Sequence, residues 1–419
     1  MNNTKYFPAV EDIQKASGVL EEILDSTPLQ KNPNLSDLYD AQVYLKREDL
    51  QMVRSYKIRG AYNKIRSIAP ATLKYGIVCA SAGNHAQGVA FSCNKLHIMG
   101  SIYMPVTTPR QKIEQVRMFG KEYIDIVLVG DTFDAANAAA IEYAKKSGKT
   151  FIPPFDDQKI IEGQGTIGYE ILSQVKQAPD YVFIPIGGGG LASGVGAYIK
   201  TLSPQTKVIG VEPAGAPCMK VAIEKGEVIE LEHINKFVDG AAVKKAGKLT
   251  YEICKDVLDD IVTVPEGAVC TSIINLYNKS AIVVEPAGAL SIAALKFYKE
   301  EIKGKNVVCI VSGSNNDITR MEEIREKSLI YEGLKHYFIV NFPQKSGAIL
   351  SFIRDIIGPT DDLVYIQYIK KTNKEEGPAL IGIEVASKDD FKALMRRMDA
   401  HNVNYEYINE NDKLFEILI

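Results

Sequence analysis

The stretch IPIGGGGLASGVGAYI, Ile184 to Ile199, decides the fold. A short β-rich run ends at Ile186, four glycines follow, and a helical pattern starts near Leu191; this predicts strand, tight loop and helix in succession. Four successive residues without Cβ expose a run of backbone N–H groups, which with a helix terminus can hold a phosphate dianion. The run can also be counted as GxGxxA, from Gly187 through Gly189 to Ala192, with Glu212 further on in KVIGVEP. That count resembles a dinucleotide-binding loop and keeps a nicotinamide-dependent oxidoreductase open as the competing reading.

The same alternation extends outward from residue 43 to about residue 315. The runs VYLKRE, GIVCAS, GSIYMP, IDIVLV, YVFIPI, KVIGVEP and NVVCIVSG alternate with helical stretches, which predicts an α/β fold with mostly parallel strands and helices on both faces. AIVVEPAGALSIAALKF, Ala281 to Phe297, reads as a buried helix. Beyond ITRMEEIREKSLIYEGL the segments HYFIVNF, SGAILSFIRDII, LVYIQYIKK, ALIGIEVA, KDDFKALMRRMDAH and NYEYIN read as βαββαβ, the order of a small ferredoxin-like unit. A boundary is expected between residues 320 and 334, dividing the chain into domains 1–327 and 335–419. The second domain offers no set of acid, base and nucleophile and reads as a sensor or an assembly module. No internal repeat is read from the chain.

The bulk numbers exclude several classes. The chain has 419 residues, 46% apolar and 24% charged, with a formal net charge of -3; this describes an ordinary soluble protein of two or three domains. Lysines alternate with acidic residues, as in KKTNKEEG, so no basic stripe points to nucleic acid. The six cysteines are scattered without a CxxC pair, which fits reduced thiols. MNNTKYFPAVEDIQKA lacks the apolar core of a signal peptide, and no run of about eighteen apolar residues could span a bilayer. The expected location is the cytoplasm.

In VRSYKIRGAYNKI, Val53 to Ile65, the residues Ile58, Ala61, Tyr62 and Ile65 mark the buried face of a helix, and Lys57 stands at its start. There the helix dipole and the neighbouring Tyr56 disfavour the charged amine, leaving a nucleophile that can condense with an aldehyde. In SAGNHAQG, Gly83 lets a ligand approach, and the amides entering the helix at Asn84 and His85 suit a carboxylate. VVCIVSGSNND presents the Ser312 hydroxyl at a strand end. An amine, a phosphate cradle and a ring contact together suit pyridoxal 5'-phosphate. The oxidoreductase reading explains the glycines and leaves Lys57 unexplained.

KREDLQMVRSYKIRGAYN, SAGNHAQGVA, FDDQKIIEGQGT, GGGGLASG, VEPAGA and VSGSNND, in this order, resemble the threonine dehydratases, fold type II pyridoxal-phosphate enzymes, over residues 1 to about 327. FPQKSGAI and YIKKTNKEEGPALIGIE are similar to the single ACT-like regulatory domain of the short biosynthetic form. The resemblance implies two three-layer α/β subdomains with mostly parallel sheets, followed by the ferredoxin-like domain. It makes Lys57 the lysine bonded to the cofactor aldehyde and gives Asn84 a hydrogen bond to the ring's 3-hydroxyl oxygen. Gly187, Gly188, Gly189, Gly190 and Leu191 would bind phosphate, and Ser312 would meet the pyridine nitrogen. The backbone of Ser81, Ala82, Gly83 and His85 would hold the substrate carboxylate.

Two positions depart from relatives in the same family. Serine racemases carry a serine acid–base group where this chain has Ala82, so racemisation is disfavoured. Acidic groups that hold a divalent metal in those relatives follow the VEP strand; Glu212 is present, but Cys218 stands at what looks like an acidic position, and the metal site is left undecided. The implied activity is elimination from L-threonine to 2-oxobutanoate and ammonia, and from L-serine to pyruvate. Feedback by isoleucine is implied through the PQKSGAI turn, where amides near Ser346 and Gly347 open a helix, in a homo-oligomer that is a dimer or a tetramer.

Overall fold

The structure, a computed structural model, describes residues 6–370, 375–411 and 415. The chain forms two compact units, Met1–Ile318 and Thr319–Ile419. In the first, the strands are β1 (Leu29–Lys31), β2 (Gln42–Arg47), β3 (Ile77–Ala80), β4 (Gly100–Met104), β5 (Ile124–Leu128), β6 (Thr150–Phe151), β7 (Tyr181–Pro185), β8 (Lys207–Pro213), β9 (Asp260–Val264) and β10 (Asn306–Val311). They build a six-stranded sheet in the order β1-β2-β10-β7-β8-β9 and a four-stranded sheet in the order β5-β4-β3-β6. Every pairing is parallel except β1 with β2.

Parallel sheets need crossover helices, and the apolar strands β3, β4 and β7 are covered on both faces as that topology requires. The strand order reverses at two places, between β3 and β6 and between β7 and β10. Loops leave the carboxyl ends of strands in opposite directions at such points and open a crevice between them. The four loops concerned are Ser81–Asn84, Ile152–Asp157, Gly187–Gly190 and Ser312–Asn315.

The helix Lys57–Arg66 buries Ile58, Ala61, Tyr62 and Ile65, as its spacing predicts. Burying its two isoleucines alone stabilises the unit by about 3–6 kcal/mol before entropy is counted. A Cβ at Gly88, on the helix Asn84–Leu96, would stand 3.1 Å from the Ile58 backbone. That approach sets the start of the Lys57 helix directly against its neighbour. The stretch read as one buried helix from Ala281 is helical only over Pro286–Ala293, then tightens into a 3-10 turn over Ala294–Tyr298. Pro286 sets the start, because its missing N–H is tolerated in the first helical turn and nowhere further in.

In the second unit the helix Met321–Glu332 precedes β11 (Lys335–Pro343), the helix Ala348–Ile356, β12 (Asp362–Tyr368), β13 (Glu376–Glu384), the helix Lys388–Ala400 and β14 (Tyr405–Tyr407). The strands form an antiparallel sheet in the order β12-β13-β11-β14. This is the split βαβ arrangement of the ferredoxin-like fold. Phe338, Val340 and Phe342 of β11 pack with Ile381 and Ile383 of β13 against Phe352, Ile356, Leu394 and Met398 of the two helices.

Candidate active site

The loops at the two reversal points carry the residues singled out in the sequence. Lys57 is partly buried, and its Nζ donates to the Pro154 carbonyl at 2.8 Å and lies 5.3 Å from the Tyr56 ring centroid. Among the described residues no carboxylate forms an ion pair with it. Burial pulls its pKa down to about 8, with the charge of Glu285 opposing the shift. The Tyr56 amide donates to the Ser312 carbonyl at 3.1 Å, which ties the start of this helix to the end of β10. The Ser312 side chain is buried, and its hydroxyl has no hydrogen-bond partner among the described residues.

The glycine loop is closed to side chains. A Cβ on Gly188 would collide with the Phe155 ring, one on Gly190 would stand 3.0 Å from Phe155 Cβ, and Gly189 holds φ at 94°, a left-handed conformation that side chains rarely adopt. The carbonyls of Gly187, Gly188 and Gly189 accept hydrogen bonds from the protein, whereas the N–H groups of Gly187 to Leu191 find no acceptor among the described residues. Five unpaired donors at a helix start make an anion site. Pro154 and Phe155 join the two halves: one holds the Lys57 amine, and the next lies under the glycines.

Asn84 Nδ2 donates to Glu285 Oε1 at 2.6 Å, and Asn315 Nδ2 donates to Asn84 Oδ1 at 2.7 Å. His85 Nε2 lies 3.0 Å from the Ile152 carbonyl, which can only accept, so the proton is on Nε2. Burial and the Lys57 charge push its pKa down to about 3 and keep it neutral. Two amides of the expected carboxylate loop have protein acceptors. The Ser81 amide is committed to the Tyr103 carbonyl at 3.1 Å and the Gly83 amide to Ser81 Oγ at 3.2 Å. The amides of Ala82, Asn84 and His85 remain without an acceptor among the described residues.

Glu285 was missed by sequence reasoning. The hexapeptide VEPAGA occurs twice, at Val211–Ala216 and at Val284–Ala289, so the chain does contain a short repeat. In the first copy both oxygens of Glu212 accept backbone amides, Met219 at 2.8 Å and Lys220 at 2.9 Å, and cap the helix Cys218–Lys225. The carboxylate that a dinucleotide reading would reserve for a ribose is therefore occupied. In the second copy Glu285 faces Asn84 instead. Burial pushes its pKa up to about 7, the nearby Asp239 adds to the rise, and the Asn84 amide opposes it. Cys218 donates its thiol hydrogen to the Gly187 carbonyl at 3.4 Å. Among the described residues no cluster of three or more His, Cys, Asp or Glu side chains is arranged to hold a metal ion.

Comparison with known proteins agrees with this geometry. Residues 20–313 match the family described as pyridoxal-phosphate dependent enzyme, and residues 326–418 match the C-terminal regulatory domain of threonine dehydratase. The biosynthetic L-threonine dehydratases of Halalkalibacterium halodurans and Bacillus subtilis are 59% and 54% identical over 410 residues, covering 98% of this chain and 99% and 97% of theirs. Among solved structures, the processed form of threonine deaminase isoform 2 from Solanum lycopersicum is 38% identical with a TM-score of 0.72, covering 78% of this chain and 96% of its own. Maize serine racemase is 28% identical with a TM-score of 0.71, covering 78% of this chain and 100% of its own. The chain belongs to the pyridoxal-phosphate dependent enzymes and, within them, to the biosynthetic threonine dehydratases with a C-terminal regulatory domain.

Proposed function

We propose that this chain deaminates L-threonine to 2-oxobutanoate and ammonia with pyridoxal phosphate as its cofactor, and L-serine to pyruvate by the same route. The observation that carries the reading is the Lys57 amine, half-buried without a carboxylate and lowered to about 8. The residues present fit the cofactor: among the described residues, five unpaired N–H groups follow β7 and the buried Ser312 hydroxyl has no protein partner. When bound, pyridoxal phosphate supplies an electron sink for the pair that remains on Cα as its proton leaves.

The protein's own groups do the rest. Burial raises the uncharged fraction of Lys57, which would bond the aldehyde and afterwards take the α-proton. The N–H groups of Gly187 to Leu191 would hold the phosphate, and Asn84 would meet the ring's 3-hydroxyl. Ser312 is a neutral donor to the pyridine nitrogen and does not charge it, which favours elimination over transamination. The amides of Ala82, Asn84 and His85 hold the substrate carboxylate and fix Cα. The Ala82 methyl has no proton to return to Cα, so racemisation is disfavoured. Serine lacks one methyl of threonine, a difference of about 1–3 kcal/mol in binding.

Catalysis is assigned to residues 1–327 and regulation to residues 335–419, with isoleucine as effector. Gly347 holds φ at 83° and opens the helix Ala348–Ile356, so the turn at Ser346 and Gly347 is the candidate carboxylate site. The working form is a cytoplasmic homo-oligomer. Among the described residues no helix is long and apolar enough to cross a membrane.

Borohydride treatment of the purified protein followed by peptide mapping is expected to fix the cofactor on Lys57, and release of 2-oxobutanoate from threonine should need no nicotinamide. Label on another lysine, or a nicotinamide requirement, contradicts the reading. A chain truncated near residue 330 should lose its response to isoleucine, and a retained response removes regulation from the second unit.

A further inference from the structure

Thr250 is a fully buried hydroxyl to which the proposed reaction assigns nothing. It lies in the first turn of the helix Lys248–Val257, where a threonine ordinarily bonds a carbonyl of its own turn. Here Oγ1 is 3.2 Å from the Gly247 carbonyl but 2.6 Å from that of Gly188, far away in the chain. A hydroxyl has one proton, and the shorter distance places it on Gly188. The helix that carries Thr250 is itself anchored: Asp156, next to the Phe155 that lies under the glycines, accepts the amides of Lys248, Leu249 and Thr250 at 3.0, 2.9 and 3.2 Å.

A trans peptide points its C=O and its N–H in opposite directions. The Gly188 carbonyl, which also accepts the Gly247 amide at the longer distance of 3.3 Å, shares its peptide plane with the Gly189 N–H, so drawing the carbonyl toward Thr250 turns that N–H the other way. We propose that Thr250 is a positioning residue for the cofactor phosphate, acting through the Gly188 carbonyl to aim the Gly189 N–H. The assignment rests on the pyridoxal-phosphate reading above. The Thr250 hydroxyl proton is spent on the Gly188 carbonyl, so its effect passes through the loop and is selective for the phosphate.

The test titrates the full-length chain, freed of cofactor, with pyridoxal phosphate and separately with pyridoxal, following the absorbance of the bound aldehyde. Thr250→Val should weaken pyridoxal phosphate about tenfold, the worth of one hydrogen bond, and leave pyridoxal within about twofold. Thr250→Ser should restore wild-type affinity, and Thr250→Cys, a weaker donor, should fall between. The cysteine and serine variants decide the matter if the valine variant does not fold. Equal losses for both aldehydes, or no loss for either, overturn the proposal. A wild-type chain with no preference for pyridoxal phosphate over pyridoxal defeats the cofactor reading itself, which no Thr250 variant can imitate.

Discussion

Lys46, on β2, donates to Glu170 Oε2 at 2.5 Å, to the Thr27 carbonyl at 2.6 Å and to Gln174 Oε1 at 3.2 Å, whereas Lys57 donates, among the described residues, to the Pro154 carbonyl alone, at 2.8 Å. Burial pulls both amines below the ordinary lysine value. Around Lys46 the opposing charges are supplied in full: Arg59, two residues after Lys57, bonds Glu48 and Glu170, so two cations meet two carboxylates. The carboxyl whose charge acts on Lys57 is that of Glu285, which burial has itself pushed up to about 7, so it is a weak partner at neutral pH. One region removes charge from water by pairing it. The other leaves an amine that sheds its proton readily, and such an amine can react.

The contrast predicts opposite responses to mutation. Lys57→Ala should lower turnover of threonine at least about 10³-fold, the scale of a lost nucleophile and base, without lowering the unfolding midpoint. An active variant, or one that unfolds easily, breaks the distinction. Glu170→Gln leaves Lys46 and Arg59 with one carboxylate to share and should cost about 3–5 kcal/mol of stability in urea unfolding, while folded molecules keep near-normal turnover. A loss under about 1 kcal/mol would show that the network is no more than a solvated ion pair. Gly188→Ala drives a methyl into the Phe155 ring, and overpacking of about 1–3 kcal/mol should appear as weakened pyridoxal phosphate binding. Unchanged cofactor affinity there contradicts the cradle.

A further effect is on the pH dependence of stability. In the cofactor-free folded chain Lys57 holds its proton more loosely than the ordinary 10.5, at about 8, so between those values the unfolded chain binds more protons and wild-type stability rises with pH. Below about pH 8 the full cost of burying the charge is present. Lys57→Met should therefore be more stable than wild type at pH 7, with the advantage fading by about pH 10.5. A difference that does not change with pH places the amine in ordinary solvent.

The glycine loop, the helix of Lys57 and the Ser312 turn were legible because each is local: a residue type at a strand end with a helix after it. The four-stranded ferredoxin-like unit was legible for the same reason, its longer strands showing alternation. β1 and β6, of three and two residues, are too short for any period. Glu285 and Pro154 reach the site through topology, 201 and 97 residues from the partners they bond, and spacing carries no trace of that. The Ser81 amide shows a subtler limit: its residue was placed correctly in the loop, but the strand β4 beside it had already taken its donor.

The fold lowers the pKa of one lysine, which can be read directly by trace acetylation of the full-length, cofactor-free chain across pH with peptide-level quantification. Lys57 should gain reactivity with a midpoint near pH 8, well before the exposed lysines of the same chain. A midpoint with theirs, near pH 10.5, contradicts the account.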